Sequence, residues 1–329
     1  MEKKIILLLI TLTLTSCLQK TERTSVKENL NLHEIIEYEP EMLAPGVISK
    51  ASFEGHASIT PDGKEVYFAV YSNDHGFSTI AYSVNTNGEW MPPKIANFSG
   101  NYSDGSPALS PDGKKLFFSS NRPIKDSTIN SSNDIWFVER NSTNKWSRPV
   151  RLSDSINTSF NEFSPSVDRS GNLYFCSNRP SIYGDMDVYF APYSKGKYQK
   201  PVLLNDSINS KYHEGNVGVS PDGNQLFIMV QHKPDDFGYD DIHYSEKIDG
   251  LWSKAKNIGK IVNTYTYDFS PKVSPNGKTL YFSSRINRNF NSPSSKYTYE
   301  VFQDYLNSPL NGFGNIYHIE IDKLNLKQN

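Results

Sequence analysis

The hydrophobic positions of this chain come in short bursts, each introduced by a turn signal. In "SPDGKKLFFSSNRP" (110–123), Pro111 presets φ, Asp112 tolerates the bridge and left-handed regions, and Gly113 takes positive φ without a Cβ clash. The run that follows, 116–120, is aromatic-rich and almost unbroken by charge, the pattern of a strand covered on both faces. The pattern therefore predicts a hairpin whose second strand needs a neighbour on each side.

The same cassette returns as "TPDGKEVYF" (60–68), "DRSGNLYFCSNRP" (168–180), "SPDGNQLFIMV" (220–230) and "SPNGKTLYFSSR" (274–285). Its turn glycines are Gly63, Gly113, Gly171, Gly223 and Gly277, a period of 50 to 58 residues that suits a four-stranded antiparallel unit. A third strand follows each hairpin: "TIAYS" (79–83), "DIWFV" (134–138), "DVYFA" (187–191), "DIHYS" (241–245) and "NIYHI" (315–319). A fourth opens on an aromatic residue, at Trp90, Trp146, Tyr198 and Trp252, and usually carries proline three positions on. The fifth repeat lacks it. "MLAPGVI" (42–48) supplies the missing strand from the other end of the chain, aligning Pro45 with Pro93, Pro149 and Pro201. That swap ties the first and last units together and leaves no sheet edge open between them. The expectation is an all-β propeller of five four-stranded blades closed by an N-terminal strand. Six blades would require residues 286–313 to hide a degenerate unit, but they contain no second Pro-Asp-Gly turn and read as a long surface loop.

The "SPDGKKLFFSSNR…DIWFV" pattern resembles the WD-like repeat of TolB-type bacterial propellers, over roughly residues 40–322. The resemblance implies the fold. It says little about function, because this repeat serves scaffolds, receptors and the non-catalytic halves of peptidases. Repeat three departs from it, with "DRSG" for "SPDG" and one residue fewer before the strand, which puts the local turn type in question and not the blade.

Composition adds a leader and removes a partner. The chain has 329 residues with 13% aromatics and 36% hydrophobics, in keeping with one large β domain of short strands. Its formal charge is −2, and losing residues 1–16, with Glu2, Lys3 and Lys4, leaves about −3 and no basic run to neutralise phosphates, so nucleic acid is excluded as a partner. "MEKKIILLLITLTLTSC" has a basic start, an apolar core too short to span a bilayer as a stable helix, and small residues before Cys17. Its "LTSC" ending resembles the lipobox of bacterial lipoproteins, which implies that 1–16 is a signal peptide and that Cys17 is lipidated. Two or three acyl chains give durable anchoring where one is marginal. Residues 17–37 then read as the lipidated cysteine and a flexible tether, and 38–329 as the propeller domain. Cys176, inside a hairpin strand, reads as a small buried residue.

Candidate chemistry lies where the blades converge. Nine residues before each turn glycine stands an acid: Glu54, Asp104, Glu162, Glu214 and Asp268. This register falls at the entry of the innermost strand, so five carboxylates would face the channel mouth, where like charges raise one another's pKa or attract a cation such as calcium. Arg122, Arg179 and Arg285 stand at matching places after the second strand and could instead stitch carboxylate–guanidinium pairs between blades. Repeats one and four have Asn73 and His232 near those places, and His56 and His213 flank the acids, which singles out Glu54 and Glu214 as unpaired, ligand-facing charges. Asn157, Asn209 and Asn263, five residues ahead of their acids, either close turns or offer amides to a ligand, and Phe160, Tyr212, Tyr265 and Tyr267 in the same loops are either anchors or a stacking platform.

Enzyme motifs are lacking: there is no His-x-x-x-His run, no Cys pairing for zinc, no Gly-x-Ser-x-Gly elbow and no phosphate-binding glycine loop. The expectation is a monomeric, non-enzymatic lipoprotein of the cell envelope, at the outer membrane facing the periplasm or the cell surface. Its propeller would bind an envelope protein or a glycan without a resident cofactor. The alternative is a carbohydrate-active hydrolase or lyase using two acids of the ring as acid and base, although acids repeated in every blade lack the unlike environments that separate two pKa values.

Overall fold

The computed structural model describes residues 39–124, 132–234, 236–286 and 298–326, so the leader, Cys17 and the tether lie outside the described residues. Within the compact unit Glu39–Asn329, the described strands form five antiparallel blades of a β-propeller. Inner strands are Phe53–Ile59, Asp104–Leu109, Glu162–Val167, His213–Val219 and Asp268–Val273, each paired with the second strand of its hairpin, Glu65–Tyr71, Lys115–Ser120, Leu173–Ser177, Gln225–Gln231 or Thr279–Ser284. Third strands Ser78–Thr86, Asp134–Glu139, Asp187–Ala191, Asp240–Ile248 and Asn315–Glu320 follow, then outer strands of two residues each. In blades 1 and 4 the third strand runs on to pair also with Glu89–Trp90 and Leu251–Trp252.

The repeated turn does what its residues predict. All five glycines sit at φ between +69° and +84°, where a Cβ would be strained. In blade 2 the Ser110 hydroxyl donates to Asp112 Oδ1 at 2.6 Å, and the same oxygen accepts the Lys114 N–H at 3.1 Å. The "DRSG" turn is one residue shorter, and Asp168 itself accepts the Asn172 N–H at 3.0 Å. The blade is intact.

Second strands are enclosed on both sides: Phe68, Phe118, Phe175, Phe227 and Phe282, one from each blade, are almost wholly buried. The aromatic residue ahead of an outer strand is a bolt between blades. Trp146 meets Tyr67 of the preceding blade edge-on with centroids 5.7 Å apart, and Tyr198 meets Phe117 at 6.5 Å and Trp252 meets Tyr174 at 6.2 Å in the same way. Each such pair contributes roughly 0.5–1.5 kcal/mol beyond its buried area.

Closure occurs as expected but in a different register. Glu41–Met42 is the outer strand of blade 5, with Glu41 opposite His318 and Met42 opposite Tyr317. In every blade the residue after the outer strand donates its N–H to the third strand: Ala96 to Ile80, Leu152 to Ile135, Leu204 to Val188, Ile258 to Ile242, and Leu43 to Ile316 at 2.8 Å. Counting back three residues makes Pro40, not Pro45, the counterpart of Pro93, Pro149 and Pro201. Pro45 lies in the turn that follows, where the Ile48 N–H bonds the Ala44 carbonyl at 2.9 Å. The long segment before the last third strand forms no sheet among the described residues. It carries a helix, Tyr299–Leu306, capped by Thr298 and with no buried residue, which the sequence pattern did not announce.

Candidate functional site

All five register acids stand at the inner-strand entry, but their carboxylates turn inward and are 0–2% exposed. Each closes the loop that brings the chain in from the outer strand of the previous blade. The N–H four residues earlier donates to the acid: Lys50 to Glu54 at 3.1 Å, Thr158 to Glu162 at 2.9 Å, Ser210 to Glu214 at 3.2 Å and Thr264 to Asp268 at 2.6 Å. Hydroxyls fill remaining lone pairs, from Ser52 to Glu54, Ser99 to Asp104, Thr158 to Glu162, Ser210 to Glu214 and Thr264 to Asp268. The asparagines five positions ahead are spent in the same loops. Asn157 Oδ1 accepts the Ile135 N–H at 2.7 Å and its Nδ2 donates to the Ile135 and Leu152 carbonyls, and Asn209 and Asn263 grip Val188 and Ile242 alike. Ser99 meets the Ile80 N–H at 3.0 Å, and Ser49 stands at this register in the closing blade. These amides are loop closures and not ligand donors.

The arginines divide. Arg122 pairs with Asp104 at 2.7 Å and Arg179 with Glu162 at 2.9 Å, each pair within its own blade and not between blades as expected, because the acid and the end of the second strand are hairpin neighbours. Arg285 does not pair with Asp268. Inner-strand pairing sets Asp104 opposite Ser120, Glu162 opposite Ser177 and Asp268 opposite Ser284. Arg122 and Arg179 are two residues beyond those serines, whereas Arg285 is one beyond, at the place of Asn121 and Asn178. A one-residue slip sends the side chain to the other face of the strand. Three acids are thus left without a guanidinium, and burial pushes the carboxyls of Glu54, Glu214 and Asp268 each up to about 7.

Below the entry every inner strand is bulged. In four blades the bulge holds a non-glycine residue in the left-handed region: His56, Ser106, Ser164 and Ser270, at φ between +50° and +58°. His56 Nε2 lies 3.0 Å from the Ser270 hydroxyl, and burial depresses its imidazole to about 3. Lys272, 4% exposed, extends from blade 5 to the Pro165 carbonyl of blade 3 at 2.9 Å and the Val217 carbonyl of blade 4 at 2.8 Å. Burial without a carboxylate beside it lowers the ammonium to about 7.

The entry face itself is aromatic. Phe77, Phe160, Phe237, Tyr239 and Tyr265 are exposed on its loops, with Ile182 83% exposed among them. Tyr239 and Tyr267 stack at 5.0 Å and 18°, and His232 meets Tyr239 edge-on at 5.9 Å. Asp240 accepts from Gln231 at 3.0 Å, and His213 lies 3.2 Å from Asp185. Tyr239, Asp240 and His75 were missed from the sequence because they sit in or beside second-to-third-strand loops of unequal length, which no repeat alignment brings into register. At the opposite, turn-bearing face a recess of about 440 Å³ between blades 2 and 3 sets Lys114, Lys115, Arg140 and Arg169 against Asp112, Glu139 and Asp168, a balance that singles out no ligand. Among the described residues no group of three or more His, Cys, Asp or Glu side chains is placed to hold a metal ion.

No protein-family model matches the chain. No curated protein matches it either. Among solved structures it is similar to one described as a TolB from Agrobacterium tumefaciens, with 15% identity over 82% of this chain and 90% of that one, at a TM-score of 0.47. It is also similar to an α-L-arabinofuranosidase from Lactobacillus brevis (13% identity, 82% and 90% covered, TM-score 0.46) and to the catalytic domain of a GH62 α-L-arabinofuranosidase from Coprinopsis cinerea (10%, 86% and 96%, 0.49). At these identities and TM-scores the likenesses carry nothing about activity. The chain is a five-bladed β-propeller.

Proposed function

We propose that this protein is a lipid-anchored binding module of the cell envelope that presents the entry face of its propeller to a partner. The observation that carries the reading is the inversion of that face: its five register acids are buried in loop closure while Phe77, Phe160, Phe237, Tyr239 and Tyr265 are exposed. Apolar rings held on a rigid scaffold are the usual anchors of a recognition surface. The hydrolase reading needs two presented carboxylates, and the five that the repeat supplies are spent on backbone N–H groups, hydroxyls and guanidiniums. The test is capture from solubilised envelope by the full chain and by a Tyr239→Ser, Tyr265→Ser double variant. Loss of one co-purifying partner with unchanged melting supports the role, and identical capture overturns it. The anchor has its own test: Cys17→Ala should leave an uncleaved precursor or a soluble envelope protein, and normal processing and acylation of the variant would overturn the lipobox reading.

A further inference from the structure

The three guanidiniums at the entry face serve as one another's controls. Arg122 Nε donates to Ser120 at 2.9 Å and its Nη2 to Asp104, and Arg179 Nε donates to Ser177 at 3.0 Å and its Nη2 to Glu162. Both also rest on aromatic rings: Arg122 lies 4.8 Å from the centroid of Phe118 and Arg179 lies 4.8 Å from that of Tyr189. Arg285 keeps the rings, with Tyr267 at 4.8 Å and Phe53 at 5.0 Å, and has neither polar partner. Its Nε is buried with no acceptor among the described residues, and its Nη2 has only a 3.4 Å contact with His75 Nε2. The nearby acid, Asp240, is buried and lies beyond ion-pair reach, bonded to Gln231.

What Arg285 lacks is what its siblings have, a carboxylate, a serine hydroxyl and a loop carbonyl on each guanidinium, while its side chain is only half-buried, which leaves the end of the guanidinium to an occupant. A carboxylate fits the terminal edge, Nη1 and Nη2, in bidentate fashion. We infer that Arg285, steadied on Tyr267 and Phe53, is a subsite for a carboxylate carried by an acidic peptide segment, an assignment that rests on the entry-face role proposed above. The exposed Ile182 on the same face favours a peptide over a sugar, since an aliphatic side chain offers apolar surface that a peptide covers and has no ring face on which a saccharide stacks.

The test titrates the full chain with poly-L-glutamate, with poly-L-glutamine as the neutral control and trigalacturonate as the saccharide arm. The expected result is salt-sensitive binding of poly-L-glutamate alone, weakened about tenfold or more by Arg285→Gln, partly kept by Arg285→Lys, and unaffected by Arg122→Lys. Equal binding by wild type and Arg285→Gln would overturn the subsite, and tighter binding of trigalacturonate than of the peptide would overturn the peptide assignment. If the tyrosine double variant loses its envelope partner while Arg285→Gln keeps it, the subsite alone fails. If the tyrosine variant keeps the partner, the entry-face role fails.

Discussion

Blades 2 and 3 and blades 4, 5 and 1 solve the same local problem in two ways. Each must close a loop at the entry of its inner strand with a buried carboxylate. Blades 2 and 3 neutralise that carboxylate with Arg122 and Arg179. Blades 4, 5 and 1 use hydrogen bonds alone, so Glu214, Asp268 and Glu54 hold their protons to about pH 7. The first arrangement commits the arginines to the fold. The second leaves Arg285 without an ion pair among the described residues, on the side of the ring where the exposed Tyr239 and Tyr265 also lie.

The sharpest way to break this comparison is to make the first arc resemble the second. Arg122→Gln strands Asp104 as a buried charge and should cost about 3–5 kcal/mol in chemical denaturation. Little change would mean that the pairs are dispensable.

Next in size is the pH response of the unpaired arc. The folded pKa of Glu54 and Glu214 is raised from 4.5 to about 7, so the unfolded chain releases these protons first. Their contribution to stability is therefore full below pH 4.5, falls between 4.5 and 7, and is lost above. Glu54→Gln with Glu214→Gln should flatten that fall, by roughly 1–3 kcal/mol for each residue, in melting curves taken across the range. An unchanged slope would contradict the protonated arc.

Lys272 should act with the opposite sign. Its folded pKa is lowered from 10.5 to about 7, so its contribution is full above 10.5 and is lost as pH falls to 7. Lys272→Met should remove that rise with pH, whatever constant cost it adds by freeing two carbonyls. The smallest effect belongs to Arg285→Gln, which breaks no ion pair among the described residues and should shift stability by under about 1 kcal/mol, the scale of an exposed cation–π contact.

The architecture was legible because its signal is repeated: five glycines that need positive φ, each followed by a strand apolar on both faces, leave few other folds open. Its weakest element was misplaced for a physical reason. An outer strand of two residues carries almost no pattern, and with prolines at both 40 and 45 the choice fell on the wrong one. The acids were visible by register, but the direction of a carboxylate depends on whether the preceding loop folds back to meet it. Sequence spacing does not report that. For Arg285 the error was a single residue, enough in a strand to exchange one face for the other.

Lys272 has a consequence for how the blades hold together. Its side chain crosses from blade 5 to carbonyls of blades 3 and 4 and so joins three of the five inner strands. A change at this one position is therefore felt by three blades at once.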